Sequence, residues 1–333
     1  MKMTRFLSEA DVRSLVSMPL ALEAVQAAFR SLGSGRGANI PRDRLFPGID
    51  PARPTSLQVM SGALPEYDAM GLKVYSTAAG GARFLVLVYR ASTGELRGIV
   101  EADWLGRFRT GAATGFATSL LARPVSATVA IIGAGGQAVT QLLALVTAMP
   151  QISHARVWSR SEKRRATFAE AYQLVSGQRN PHLDIAICET PEDAIVGADV
   201  VIAITSARTP VVRGEWIRSG MHVVGAGINR ADVAELDSDV VSRADLVVVD
   251  HLAGAMREAG DLIAAHASGH FDWSTAVELG AIVAGTSPGR TSQDQVTLFE
   301  SQGIAIEDVA LATLLLDRAE ASGIGDQLSL FNS

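Results

Sequence analysis

From residue 125 onward, short apolar runs alternate with segments of helical spacing. Residues 128–132, 155–158, 184–187, 200–204, 221–225 and 246–249 read as buried strands, being brief and rich in Val and Ile. Residues 137–147, 162–174 and 192–196 read as the intervening helices. This alternation predicts a doubly wound, Rossmann-type parallel sheet with right-handed crossovers. Ligands in such a sheet sit beyond the carboxyl ends of the strands, so the runs ending at Thr205-Ser206 and at Gly225-Ala-Gly227 are candidate ligand contacts.

The first 120 residues follow another rhythm. Ser8 caps a short helix with Asp11 in its first turn, and a second helix is expected at 20–32, ending at Gly33. Proline biases residues 39–44 toward extended chain. Alternating runs follow at 56–60, 71–75, 84–89 and 98–101. They predict an α+β domain on its own sheet. A helix over 104–122 links the parts, with a small-residue middle at 111–117 and Pro124 beyond its end. The last helix, 307–321, is expected to return to the first domain. The expected domains are therefore 1–120 with 310–333, and 121–309.

The strand ending at Ile132 breaks at Gly133-x-Gly135-x-x-Ala138 and restarts as a helix. Gly133 permits a tight turn, Gly135 lets backbone approach a pyrophosphate, and Ala138 lets helix pack on strand. The N–H groups at Gly136 and Gln137 open the helix toward the phosphates. At the end of the next strand, where a free ribose 2′-hydroxyl usually meets an acid, stands Ser159-Arg160-Ser161. Hydroxyls and a guanidinium suit a 2′-phosphate. The pattern favours NADP(H) over NAD(H).

Composition narrows the class. Nearly half the residues are apolar (48%) and only 19% are charged, a globular balance with a substantial core. A net charge of −6 gives no footprint for nucleic acid. No apolar run reaches the ~20 residues of a membrane span. The single cysteine, Cys188, allows no internal disulfide and reads as a buried structural thiol. With no signal peptide at residues 1–9, a cytoplasmic protein is expected. His222 falls inside an apolar strand and reads as a core residue. His251 could line the sheet mouth. His266 and His270 have helical spacing but lack the glutamate of a zinc motif, so no metal is expected.

Taken together, Pro41-Arg42, Gly71-Leu-Lys73-Val, Arg109-Thr110-Gly-Ala-Ala113, Ile132-Gly-Ala-Gly-Gly-Gln-Ala138, the Gly225–Asp237 stretch, Gly285-Thr-Ser-Pro-Gly289-Arg290 and Thr297-Leu-Phe299-Glu-Ser301-Gln-Gly303, with Asp308 after it, resemble the ornithine cyclodeaminase/μ-crystallin family over nearly the whole chain. The resemblance implies that Arg42, Lys73 and Arg109 hold a substrate α-carboxylate, with Met60 beside them, and that Thr110 and Ser301 join the cofactor contacts. Lys73 interrupts the apolar run Leu72-x-Val74-Tyr75. A lysine held there is poorly hydrated, has a lowered pKa and suits a proton donor.

The informative departure is Asn229, where cyclodeaminases carry an acid/base aspartate. An amide hydrogen-bonds but moves no proton at neutral pH. Lys73, Arg109 and Asn229 are thus the candidate catalytic group for reduction of small α-imino acids by NAD(P)H, the reverse of amino-acid dehydrogenation. A cyclodeaminase-type lyase with bound NAD and a small-ligand carrier are the alternatives. The family likeness also implies a homodimer.

Overall fold

The computed structural model describes residues 3–49, 55–177 and 182–330. Met1 and Lys2, part of the stretch read as lacking a signal peptide, lie outside the described residues, as do 331–333 of the C-terminal segment. The chain divides into two compact units, Met1–Arg109 with Gly303–Ser333, and Thr110–Gln302.

In the first unit, β1 (Thr4–Leu7), β2 (Ala38–Leu45), β3 (Ser56–Leu64), β4 (Ala69–Ala78), β5 (Gly81–Arg90) and β6 (Leu96–Glu101) join the C-terminal strand Asp326–Leu328 in one sheet. Its order is C-terminal strand, β1, β6, β5, β4, β3, β2. The meander from β6 to β2 is antiparallel, and β1 adds to β6 in parallel. Strands alternate faces every residue, so the register Met60–Lys73–Val86 puts these three on one face. The C-terminal helix Ala305–Ser322 packs on β3 and β4. Helix α1 (Glu9–Leu15) starts in a Ser8–Asp11 capping box. Helix α2 (Met18–Gly33) begins earlier than its apolar pattern suggests, because Ser17 caps it by accepting from the Leu20 N–H.

The linking helix is α3 (Asp103–Leu121). In the second unit, β7 (Thr128–Ile132), β8 (His154–Trp158), β9 (Asp184–Ile187), β10 (Val200–Ala203), β11 (His222–Gly225), β12 (Leu246–Val249), β13 (Val277–Glu278) and β14 (Thr297–Glu300) form an all-parallel sheet. The order is β13-β12-β14-β11-β10-β7-β8-β9. Helices α4 (Gly136–Ala148), α5 (Glu162–Ala166), α6 (Phe168–Ser176), α7 (Pro191–Ile195), α8 (Ser238–Ser242), α9 (Leu252–Glu258), α10 (Gly260–Ala267) and α11 (Leu279–Val283) complete the unit. The direction of winding reverses between β7 and β10, so a crevice forms beyond their carboxyl ends. Among the described residues no helix is long and apolar enough to cross a membrane.

Further features depart from the sequence expectations. The unit boundaries fall at 109/110 and 302/303 instead of 120/121 and 309/310. The later half of α3 packs on α4, where a Cβ on Gly111 or Gly115 would lie 2.4 or 2.8 Å from a backbone oxygen. The segment 162–174 is two helices that meet at Thr167. β14 has no counterpart among the expected strands, yet it fills the middle of the sheet and all four of its residues are buried. Cys188 is half-buried instead of buried, because it follows the edge strand β9. Burial still raises its thiol pKa.

Candidate functional site

The second unit carries a cleft of about 310 Å³ at the switch point. Gly133 turns the chain at φ 123°, and an added Cβ would lie 2.3 Å from the Ile204 carbonyl oxygen. Glycine alone serves there. Gly135 is the N-cap of α4 and offers no side chain, which leaves the first-turn N–H groups facing the cleft. Of the expected cofactor contacts, Gly133, Gly135, Gly136, Gln137, Ser159, Arg160, Ser161, Thr205, Ser206 and Gly227 line the cleft. Ala138, Thr110 and Ser301 do not line it. Ala138 is fully buried in the packing under α4, the Thr110 carbonyl accepts from Gln141 Nε2 at 3.4 Å, and the Ser301 N–H donates to Gly225.

Trp158 and Arg164 also line the cleft, beyond the contacts expected from the sequence. The signal for Arg164 is its place three residues after Ser161, which caps α5 by accepting the Arg164 N–H. The basic cluster therefore divides its roles. Arg164 reaches to within 4.0 Å of the Cβ position of Gly135, whereas Arg165 braces the Ser159 carbonyl at 2.6 Å and pairs with Glu189.

The second constellation lies in the first unit, on the inner sheet face. Lys73 on β4 is 3% exposed, and its Nζ donates to Asp308 Oδ1 at 2.8 Å. Arg109 Nε donates to the same oxygen at 3.1 Å, and its Nη1 donates to Glu307 Oε2 at 3.1 Å. Both acids sit in the first turn of the C-terminal helix, where the helix dipole favours anions. Arg42, buried beside Met60 at 3.7 Å, is aimed inward by a register shift between Ile40 and Asp43. The Nζ of Lys73 also lies 5.2 Å from the Phe84 ring centre.

Burial pushes the Lys73 ammonium down to about 8, with Asp308 opposing and Arg109 and Arg42 assisting. Burial also penalises the Asp308 carboxylate, but Arg109 and Lys73 overcome that and hold its pKa below the ordinary value. Arg109 is likewise penalised by burial, yet Asp308 and Glu307 hold its guanidinium above its usual range. Such a cluster can fix one small anion and keep a readily released proton beside it.

Gly303 makes room for this arrangement. It has φ 78°, and a Cβ there would lie 2.6 Å from Arg109 Nη1. Gly303→Ala is expected to displace the guanidinium and raise the substrate KM by about tenfold, on the order of 1.4 kcal/mol. Steady-state kinetics with unchanged dinucleotide affinity would confirm this, and a wild-type KM would refute it.

The remaining candidates do not line the cleft. Asn229 lies half-buried in the loop after β11. His222 is buried, its Nδ1 2.8 Å from the Thr297 hydroxyl, and burial pushes it down to about 3. His251 caps α9 by accepting from the Gly254 N–H. His266 and His270 are exposed, each engaged locally through Nδ1. Among the described residues no group of three or more His, Cys, Asp or Glu is arranged to hold a metal ion.

Residues 2–323 match the profile of the ornithine cyclodeaminase/mu-crystallin family. The chain is 30% identical to the ketimine reductase mu-crystallin of Macropus fuliginosus, covering 94% of this chain and 96% of that one. Among solved structures it is similar to the Δ1-pyrroline-2-carboxylate reductase of Thermococcus litoralis in complex with NADH and L-proline. The identity is 33%, the TM-score is 0.90, and 98% and 100% of the two chains are covered. An archaeal alanine dehydrogenase dimer with bound NAD is 29% identical, with a TM-score of 0.89 and 99% and 100% coverage. The chain belongs to the ornithine cyclodeaminase/mu-crystallin family.

Proposed function

We propose that the protein is a nicotinamide-dependent oxidoreductase that reduces small α-imino acids and, in reverse, dehydrogenates α-amino acids. The buried group of Arg42, Lys73 and Arg109 with Glu307 and Asp308 carries this reading. Two guanidiniums and an ammonium converge there, donors that suit a substrate carboxylate. The dinucleotide, when bound, supplies the hydride that reduces the imine carbon. One proton must also reach nitrogen, and Lys73, at about 8, holds one in poorly hydrated surroundings. The ketimine reductase name of the Macropus relative and the L-proline held by the Thermococcus enzyme support the same substrate class.

We further propose that NADPH is preferred to NADH. Ser159, Arg160, Ser161 and Arg164 line the cleft, and none of the cleft-lining residues is an acid. A charge-assisted hydrogen bond contributes roughly 1.5–3 kcal/mol. Arg160→Ala and Arg164→Ala are each expected to raise the NADPH KM about 10-fold or more while changing the NADH KM less than about 3-fold. Equal losses with both cofactors would end the preference reading.

The reaction itself is tested by following NADPH and NADH oxidation across a panel of cyclic and acyclic imino acids. Turnover supports the reductase. Ammonia release from ornithine without oxidation would return the lyase reading, and dinucleotide binding without either reaction would return the carrier. The homodimer rests on the outer sheet face of the first unit, where Ile40, Leu57, Val59 and Leu85 are exposed, and on the dimeric alanine dehydrogenase.

A further inference from the structure

Under the strand ends that line the cleft lies a buried set of carboxyls that the reaction above does not use. Glu235, Asp261 and Glu300 are 1%, 5% and 0% exposed. Glu235 Oε1 accepts both the N–H and the hydroxyl of Thr205 at 2.6 Å, and the same carboxylate accepts from the Gly227 N–H. Asp261 Oδ1 accepts the N–H groups of Glu235 and Leu236 at 2.6 and 2.7 Å. Glu300 is bonded in turn to Asp261 and receives Gln302 Nε2 at 3.1 Å.

The glycines of Gly225-Ala-Gly227 are explained by these side chains. A Cβ on Gly225 would lie 2.2 Å from Glu300 Oε1, and one on Gly227 would lie 2.1 Å from Glu235 Oε2. The motif is a seat for two carboxyls as much as a turn at the sheet mouth. Any side chain on Gly227 would evict Glu235.

We propose that Glu235 is a positioning residue for the dinucleotide cleft: its carboxylate ties the end of β10 to the loop after β11 and so holds Thr205 and Gly227 in the cleft wall. The inference rests on the reading of that cleft as a nicotinamide dinucleotide site. Glu235 does this best as an anion, because all three of its donors point at carboxylate oxygens. The charged groups acting on the set from neighbouring elements are acids: Asp261 from α10, Glu300 from β14 and Asp250 after β12. Burial, opposed by Thr205 and aided by Asp261, raises Glu235 to about 7, and burial raises Asp261 to about 6. Burial, aided by Asp261 and Glu235, also raises Glu300 well above its ordinary value.

The test is dinucleotide affinity against pH, read by the fluorescence of bound NADH between about pH 6 and 9. NADH is chosen because the 2′-phosphate of NADPH titrates near 6. Wild-type affinity should fall as pH drops through about 7, when Glu235 takes a proton. Glu235→Gln should bind about 10-fold more weakly at pH 8 and lose the inflection. Thr205→Val removes a donor that lowers the Glu235 pKa, so its inflection should move to higher pH. That shift also decides the matter if Glu235→Gln fails to fold. A wild-type affinity and inflection in Glu235→Gln, or an unmoved inflection in Thr205→Val, would overturn the inference while leaving the cofactor reading intact. Failure of the wild-type protein to bind NADH or NADPH at all would overturn both.

Discussion

Lys73→Met is expected to lower the turnover of imino-acid reduction by about 10²–10⁴, the contribution typical of a positioned proton donor. The substitution keeps the apolar stem on β4 and removes only the ammonium. The pH profile distinguishes loss of a proton donor from loss of a charge. Lys73 is pushed down to about 8 by burial, so it is protonated below that pH and deprotonated above it. Reduction by the wild-type enzyme should therefore be fastest below about 8 and decline above it, and oxidation of the amino acid should rise over the same interval. Lys73→Arg should restore the carboxylate clamp but not the rate, because a guanidinium stays protonated throughout. A Lys73→Met enzyme with wild-type turnover and an unchanged alkaline limb would remove Lys73 from the reaction.

Asp308→Asn should act on stability and on the pH profile together. Asp308 is fully buried, and its Oδ1 receives both Lys73 and Arg109. Removing one partner of a buried charge pair typically costs about 3–5 kcal/mol, because the remaining charge stays desolvated. Here two cations would lose their shared anion while Arg109 keeps Glu307, so a clear drop in the calorimetric unfolding temperature is expected. The carboxylate of Asp308 also opposes the burial that lowers Lys73. Its loss should move the alkaline limb of the reduction profile below about 8. An unshifted limb would mean that Lys73 does not set it, whatever the change in stability.

Most of the residues that sequence patterns single out gather in the two constellations. Arg42, Met60, Lys73 and Arg109 come together in the first unit; strand alternation accounts for part of this, but it is the β3–β4 register that puts Met60 and Lys73 on one sheet face. The acids that anchor them, Glu307 and Asp308, are legible in the sequence as the start of a helix, and Asp308 also within the family resemblance, but not as partners of Lys73 and Arg109. They come more than 190 residues after Arg109, and spacing says nothing about such distant encounters. Arg164 stands in the sequence as one of several basic residues, and which of them faces the cleft depends on the phase of α5.

The local pattern of the chain determined the glycine turn, the capped helices, the meander and the parallel sheet, because each depends on residues a few positions apart. Tertiary structure alone decided that the strand carrying Glu300 enters the sheet centre between β11 and β12. It alone decided that Glu235, Asp261 and Glu300 meet beneath that sheet's mouth. The reason is physical. Burial and proximity between remote segments set the charge of a carboxyl or an ammonium, and neither quantity is written in the order of neighbouring residues.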